Sequence, residues 1–438
     1  MLHAGFGLRD ITPDQPTFLV GYPHVPRVST GVHDPLYATT MFLEDSGTAV
    51  VLVSCDLLFV ARETAATCRQ AIGTALGVNP AHVLISATHT HSGPVTNTVL
   101  AWREDPLVPP PAPEYLEKLQ AGIVEAAKAA RDAAVPAELA VTTAHADGVG
   151  GNRLAADGVR DPEVGILVVR DRQNHTLLGL DMVYSMHPTV MHEDTKLVSS
   201  DFPHYTRLHL REMLGDIPVV YHTGTEGNQS PRYSVRGQTF AEAERLGRRL
   251  GQFVGDAVRA LGAADFATSV RLAAASDLVP LPGRTYPTPA EAEARLAEAR
   301  ATFERLRREN AGHGPVRTAE CAVFGAEEVV ALARAQADGA VEARRRQCSP
   351  AEVQVLRVGD ACLVGLPGEV FVEYGLEIKS RAAQRSFVIN LANGELQGYI
   401  VTPEAERAGG YEASMSMFTA EGGARMVEKA LDLIRRRA

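Results

Sequence analysis

The sequence predicts an α/β fold, with mixed β-sheets flanked by helices, in a single catalytic domain spanning 1–438. Three observations predict it. Short apolar runs that read as strands alternate with helical stretches along most of the chain. At 438 residues, 45% hydrophobic and 22% charged, the chain has the length and composition for one full globular core. Its conspicuous polar motifs fall where strands run out into loops, which is where α/β proteins place chemistry. One block departs from the alternation: residues 288–347 are rich in Ala, Glu and Arg at helical spacing. They read as a helical insertion, a pair of helices broken by Gly312-His313-Gly314-Pro315.

In chain order, residues 1–60 look β-rich, with polar turns such as Thr12-Pro13-Asp14 and Glu44-Asp45-Ser46-Gly47 ahead of the strand Ala49–Val53. Arg62–Leu76 is helical by pattern and closes at Gly77, a C-cap. Val83-Leu84-Ile85-Ser86, after the turn pair Asn79-Pro80, reads as a buried strand. Residues 103–113 hold five prolines and read as a surface loop. Pro113 then opens a helix to about Ala134. Strands follow at Ala137–Thr143, Val164–Val169 and Leu177–Val183, separated in part by the glycine-rich turn Gly148–Arg153. Ser199-Ser200-Asp201 supplies an N-cap for a helix to about Leu214. The strand Pro218–Tyr221 precedes the polar loop Thr223–Arg232. A helix at Phe240–Leu261 and a strand at Val270–Leu281 lead to the insertion, whose charges read as a solvated face, with an oligomer contact as the alternative. Strands Val353–Val358 and Ala361–Leu366, a helix to about Ala383, strands Ser386–Leu391 and Gly398–Val401, and an amphipathic helix Ala420–Arg435 complete the chain.

Composition removes several functions. A net charge of −10 argues against general affinity for nucleic acid or anionic membranes. No apolar run approaches the roughly 20 residues that span a bilayer. The five cysteines are scattered, with no Cys-x-x-Cys pair, which suits reduced thiols and gives no thiolate metal site. The start Met-Leu-His-Ala-Gly has neither a basic nor an apolar signal region, so the expected location is cytoplasmic.

The chemistry centres on Ala87-Thr88-His89-Thr90-His91-Ser92-Gly93-Pro94. If the extended backbone continues through it, His89 and His91 project from one strand face, suited to a metal ligand and an acid/base group. Arg153, His187, Ser230, Glu369 and Tyr399 stand at comparable strand-to-loop junctions. A serine-hydrolase reading would use Ser230 with a histidine base, but the Gly-x-Ser-x-Gly elbow is missing. Two histidines and a carboxylate, with an open position for water, suit a metallohydrolase better. A second cation site at His33-Asp34 is an alternative to an ordinary Asp-Pro turn.

The ordered set of the His-x-His motif, Asn152-Arg153, His187-Pro188, Ser199-Ser200-Asp201, Gly227-Asn228-Gln229-Ser230-Pro231, Pro367-Gly368-Glu369 and Tyr399…Tyr411-Glu412-Ala413-Ser414 resembles the neutral (non-lysosomal) ceramidase family. Gly5–Thr12 and Ser54-Cys55-Asp56 resemble that family's N-terminal part. The resemblance implies one catalytic zinc ion held by His89, His187, Glu369 and Tyr399. It implies a proton-transfer role for His91, and places Arg153 and Tyr411 near the reacting carbonyl. It matches Ser230 to a serine sometimes assigned as nucleophile. Structural alternatives are that Arg153 braces its loop, Tyr411 packs, and Ser230 caps a helix or holds a ligand.

The implied reaction is amide hydrolysis by zinc-activated water, with His91 moving the proton. Three departures bear on substrate. The family's C-terminal immunoglobulin-like domain is not seen, Asn228 stands where ceramidases carry Asp, and 288–347 has no counterpart. The expected substrate is therefore a soluble or modestly lipophilic N-acyl compound. True ceramidase activity, or a non-catalytic relative that binds a ligand, are the alternatives.

Overall fold

A computed structural model describes residues 1–437, with the backbone alone at 313, 314, 317 and 437. Two mixed sheets stack face to face. The larger has eight strands, in the spatial order Val219–Thr223, Leu177–Tyr184, Glu163–Asp171, Val135–His145, His3–Asp10, Tyr37–Asp45, Thr48–Cys55, Val83–Ala87. The smaller runs Leu272–Val279, Ala351–Val358, Ala361–Gly365, Arg385–Ile389.

The strands are near-continuous apolar runs because both of their faces are buried. On Thr48–Cys55, Val50 and Leu52 enter the core shared with the second sheet, beside Leu356 and Leu363. Val51, Val53 and Cys55 point the other way, onto the helices Arg62–Leu76 and Pro113–Asp132. The remaining faces are covered in the same way. Phe202–Leu214 and Phe240–Arg259 pack on the far half of the large sheet, and Val372–Arg381 and Glu421–Arg437 on the small one. The result is four layers: helix, sheet, sheet, helix.

Two parallel connections matter for function. Thr48–Cys55 pairs in parallel with Val83–Ala87 after the Arg62–Leu76 crossover, which ends at Gly77 with φ 69° as its composition requires. Leu177–Tyr184 likewise pairs in parallel with Val219–Thr223 across the helix Phe202–Leu214. Val83–Ala87 and Val219–Thr223 are the two outermost strands of the sheet, and Ser86 Oγ meets His222 Nδ1 between them at 2.7 Å, so the His-x-His loop and the Thr223–Arg232 loop that follow them come together.

Residues 280–350 leave and re-enter the small sheet at one point, since Val279 pairs with Ala351. This stretch forms three helices rather than the expected two: Pro289–Arg308, His313–Ala337 and Ala340–Cys348. The extra break is Gly339, left-handed at φ 84°. The turn pair Asp338-Gly339 marks it, inside a block read as helical from its Ala, Glu and Arg content. Some charges of this block pair within the chain, Arg334 with both Glu104 and Glu293 and Asp338 with Arg103. Among the described residues no helix is long and apolar enough to cross a membrane.

Candidate active site

The strand Val83–Ala87 stops before the motif, and His89 has a φ of +72°. The two histidines therefore do not share an extended strand face, contrary to the expectation from alternation. The chain turns instead because Thr88 and His89 donate their amides to Cys55 O and Leu57 O, outside the sheet ladder. The left-handed turn still brings the rings together, edge to face, with centroids 5.0 Å apart.

Each ring is fixed from behind. His89 Nδ1 donates to Leu58 O (3.0 Å) and His91 Nδ1 to Gly21 O (3.1 Å). Gly21, at φ +116°, has to be glycine, since a Cβ there would lie 2.5 Å from His91 Nδ1. The fully buried Arg27 pins the same loop by donating to His91 O (2.9 Å), Leu19 O and Thr195 O. His187, just beyond Leu177–Tyr184, donates Nδ1 to the carbonyls of Glu226 (2.8 Å) and Gln229 (3.0 Å). Tying Nδ1 to a carbonyl sets the tautomer and leaves Nε2 as the free ligand atom, the arrangement metal-binding histidines use.

These Nε2 atoms converge on one carboxylate. Glu369 Oε2 lies 3.1 Å from His187 Nε2 and 3.3 Å from His89 Nε2. Burial alone would raise the Glu369 pKa, but His89 and His187 hold it well below the usual carboxylate range. Burial, helped by Arg153, pushes His187 down to about 3. Burial, with His89 and His187 nearby, pushes His91 well below its ordinary value. His91 and His187 thus favour the neutral form.

Two groups have ligand atoms within 4.8 Å of one another: His89 with His91 and His187, and His89 with Glu226 and Glu369. Inside this cluster His89 Nε2, His91 Nε2, both Glu226 carboxylate oxygens and Arg153 Nη2 are buried without a hydrogen-bond partner. Each such orphan costs about 1–3 kcal/mol. So many in one place suit a site built around a cation and a polar ligand, and the donor set of imidazoles and carboxylates fits zinc.

Glu369 and Tyr399 are register partners in a short parallel pair, which sets the phenol beside the carboxylate. The Thr223–Arg232 loop reaches them through Gly227, where a Cβ would come within 2.7 Å of Glu369 O. Arg153 Nη1 lies 3.3 Å from His187 Nε2, its Nε donates to Glu412 (2.7 Å), and its guanidinium stands 5.1 Å from the Tyr399 ring centre. Burial lowers the Arg153 pKa, but Tyr399 and Glu412 more than offset this and hold it above its ordinary value. The Tyr411 ring packs on Tyr399, centroids 5.9 Å apart. Burial, together with Glu328 and Tyr399, raises the Tyr411 phenol, which therefore remains a proton donor at neutral pH.

Ser230 sits one strand pair away. Gln229-Ser230 pairs with Gly151-Asn152, and Ser230 Oγ accepts from Arg232 N (3.3 Å), a turn-capping contact. Among the described residues no hydrogen bond joins this hydroxyl to a histidine. A Ser–His–Asp chain does exist elsewhere: Ser86 Oγ meets His222 Nδ1 at 2.7 Å, and His222 Nε2 meets Asp181 at 3.0 Å. It is sealed in the sheet core at 0–1% exposure, out of a substrate's reach. At His33-Asp34, both Asp34 oxygens are occupied, by Ser199 Oγ and His33 on one side and Ser200 on the other. That carboxylate holds the Ser199-Ser200 segment, whose Ser199 O accepts from Thr90 Oγ beneath the His-x-His loop. The turn is structural.

Three residues escaped the sequence reading. Glu226 is hidden in a loop whose glycine, asparagine and serine drew attention. Arg27 lies in a segment without periodicity. Glu328 looks like one of many helical surface glutamates, yet it is 1% exposed, accepts from Trp102 Nε1 (2.7 Å), and hydrogen-bonds Tyr411. Burial raises its pKa to about 8. The only available sequence signal was the apolar flank Val329–Ala333.

Comparison with known proteins adds to this geometry. Residues 2–216 match the family model described as neutral/alkaline non-lysosomal ceramidase, N-terminal. A neutral ceramidase of Drosophila pseudoobscura pseudoobscura is 27% identical over 228 residues, 48% of this chain and 32% of that protein. The match thus spans about a third of that relative's length. The crystal structure of neutral ceramidase from Pseudomonas aeruginosa superposes with a TM-score of 0.75 at 18% identity, covering 99% of this chain and 75% of that one. A ceramidase complexed with C2 gives a TM-score of 0.76, also at 18% identity, over 100% and 75%. At that identity these two structures speak to the fold alone.

Proposed function

We propose, for a chain that belongs to the neutral/alkaline non-lysosomal ceramidase family, that it is a zinc-dependent amide hydrolase cleaving an N-acyl bond. The observation that carries this is the convergence of His89 and His187 Nε2 on Glu369 Oε2, at 3.3 and 3.1 Å, with Arg153 alongside. His89, His187, Glu369 and Tyr399 would hold the ion. Bound there, zinc would polarise a carbonyl and lower the pKa of a coordinated water toward about 7.

The protein's own groups supply the rest. His91, neutral at working pH, takes the proton of the attacking water through Nε2 and returns it to the leaving amine. The free Arg153 Nη2 and the Tyr411 hydroxyl donate to the oxyanion as the carbonyl becomes tetrahedral; one such donor is worth about 100- to 1000-fold. Residues 1–438 act as one catalytic unit, with 288–347 inserted and contributing Glu328 behind Tyr411.

Exposed Leu154, Val159 and Tyr233 stand on the two loops that carry Arg153 and Ser230, so the acyl side of the substrate meets apolar surface. With a net charge of −10 and no membrane-spanning helix among the described residues, the favoured substrate is a modestly lipophilic N-acyl amine or amino acid. Long-chain ceramide, suggested by the names of the relatives, is the second reading. A panel of N-acyl amines, N-acyl amino acids and short- and long-chain ceramides tests this. Turnover should vanish with a chelator and return with zinc. Long-chain ceramide winning on kcat/KM would refute the substrate while keeping the hydrolase, and no amide cleavage at all would refute both.

Water, not Ser230, is the nucleophile in this scheme. Ser230→Ala is expected to slow hydrolysis by less than about 100-fold, below the loss of a strong oxyanion donor. Mass spectrometry of the wild-type protein during turnover should find Ser230 unmodified, and an acyl group trapped there would overturn the assignment.

A further inference from the structure

We propose that Glu226 is a further ligand of the cation held by His89, His187 and Glu369, so that two carboxylates face the ion instead of one. The proposal rests on the zinc reading above.

Glu226 is anchored where a ligand should be. It lies three residues past the strand Val219–Thr223, and its own carbonyl accepts from His187 Nδ1 at 2.8 Å. Its side chain is fully buried, and neither carboxylate oxygen has a partner at hydrogen-bonding geometry. Asn390 stands beside it, held by its Nδ2 donating to Val370 O, with an Oδ1 that is likewise unpartnered. One Glu226 oxygen, one His89 nitrogen and one Glu369 oxygen all lie within 4.8 Å of one another.

Two carboxylates in one dry pocket repel unless a proton or a cation lies between them. Glu369 already has His89 and His187 at 3.3 and 3.1 Å, whereas the protein group beside Glu226 is the neutral Asn390 amide. A divalent ion there answers both charges. The chemistry of the site changes accordingly. A second anionic oxygen widens the donor set from one that favours zinc toward one that also accepts manganese or cobalt.

The test uses full-length protein stripped with a chelator, then titrated with Zn2+ by calorimetry and with Co2+ by visible absorption. The wild type should bind one zinc. Glu226→Gln should bind it at least about tenfold more weakly, since even outer partners of metal ligands carry about 10- to 100-fold. Its cobalt d–d bands should shift, and the melting temperature of its metal-free form should stay near the wild type's while the zinc-induced rise shrinks. Unchanged affinity together with an unchanged cobalt spectrum overturns the proposal and leaves the zinc reading intact. Wild-type protein that binds no zinc removes the reading, and the proposal with it. Should Glu226→Gln fail to fold by circular dichroism, Glu226→Asp is read in the same way: a shifted cobalt spectrum supports the ligand, and an unchanged one overturns it.

Discussion

Replacing His187 by alanine is expected to abolish stoichiometric zinc and, with it, amide hydrolysis. His187 is the most enclosed of the three histidines, at 0% exposure, and its Nε2 lies 3.1 Å from Glu369. Without the ring, Glu369 keeps only His89 at close range, and Arg153 loses the group it abuts. Zinc affinity should fall by more than the 10- to 100-fold typical of an outer partner, because a direct ligand is lost. The fold should survive. The lost bonds from Nδ1 to the Glu226 and Gln229 carbonyls are worth about 1 kcal/mol each. Both carbonyls keep other amide donors: Gln229 N reaches Glu226 O, and His187 N reaches Gln229 O. Elemental analysis after gel filtration, with circular dichroism as the fold control, decides the matter. A His187→Ala protein that is folded and retains one zinc per chain would remove this residue from the site.

The fold was legible in the sequence where local and tertiary preferences agree. Arg62–Leu76 has an amphipathic pattern, a glycine stop and a face to bury, and it forms as read. The strands were legible because burial on both faces leaves unbroken apolar runs. What local pattern missed was set by distant contacts. The strand ends at Ala87 because the Leu57 carbonyl captures the His89 amide, an interaction with a loop 32 residues away that no period reveals. Gly339, after Asp338, breaks a helix inside a block whose overall composition reads as helical. Arg27, Glu226 and Glu328 look ordinary in sequence because their identity matters only where five distant segments meet. The motif resemblance could point to the residues it names, while Glu226 lies outside every position that the resemblance assigns.

The role of His91 is where geometry and resemblance pull apart, so its substitution is the most informative. His91→Ala is expected to retain zinc while turnover falls by about 100- to 10,000-fold, the range for a general acid–base group. His89→Ala is expected to lose both. Proximity alone does not separate the two, since the ligand atoms of His89, His91 and His187 all lie within 4.8 Å of one another. Two features do. Glu369 closes on His89 and His187, at 3.3 and 3.1 Å, whereas the ring of His91 is held by the Gly21 carbonyl. His91 is the only one of the three with an appreciable part of its residue surface exposed, which places it on the solvent side of the cluster. The pH profile supplies the independent readout: the limb reporting the base should disappear in His91→Ala, leaving a flat low rate, while zinc content per chain stays at the wild-type value. Equal loss of zinc from the His89→Ala and His91→Ala proteins would make His91 a ligand, and the proton carrier would then have to be sought among Glu226 and Tyr411.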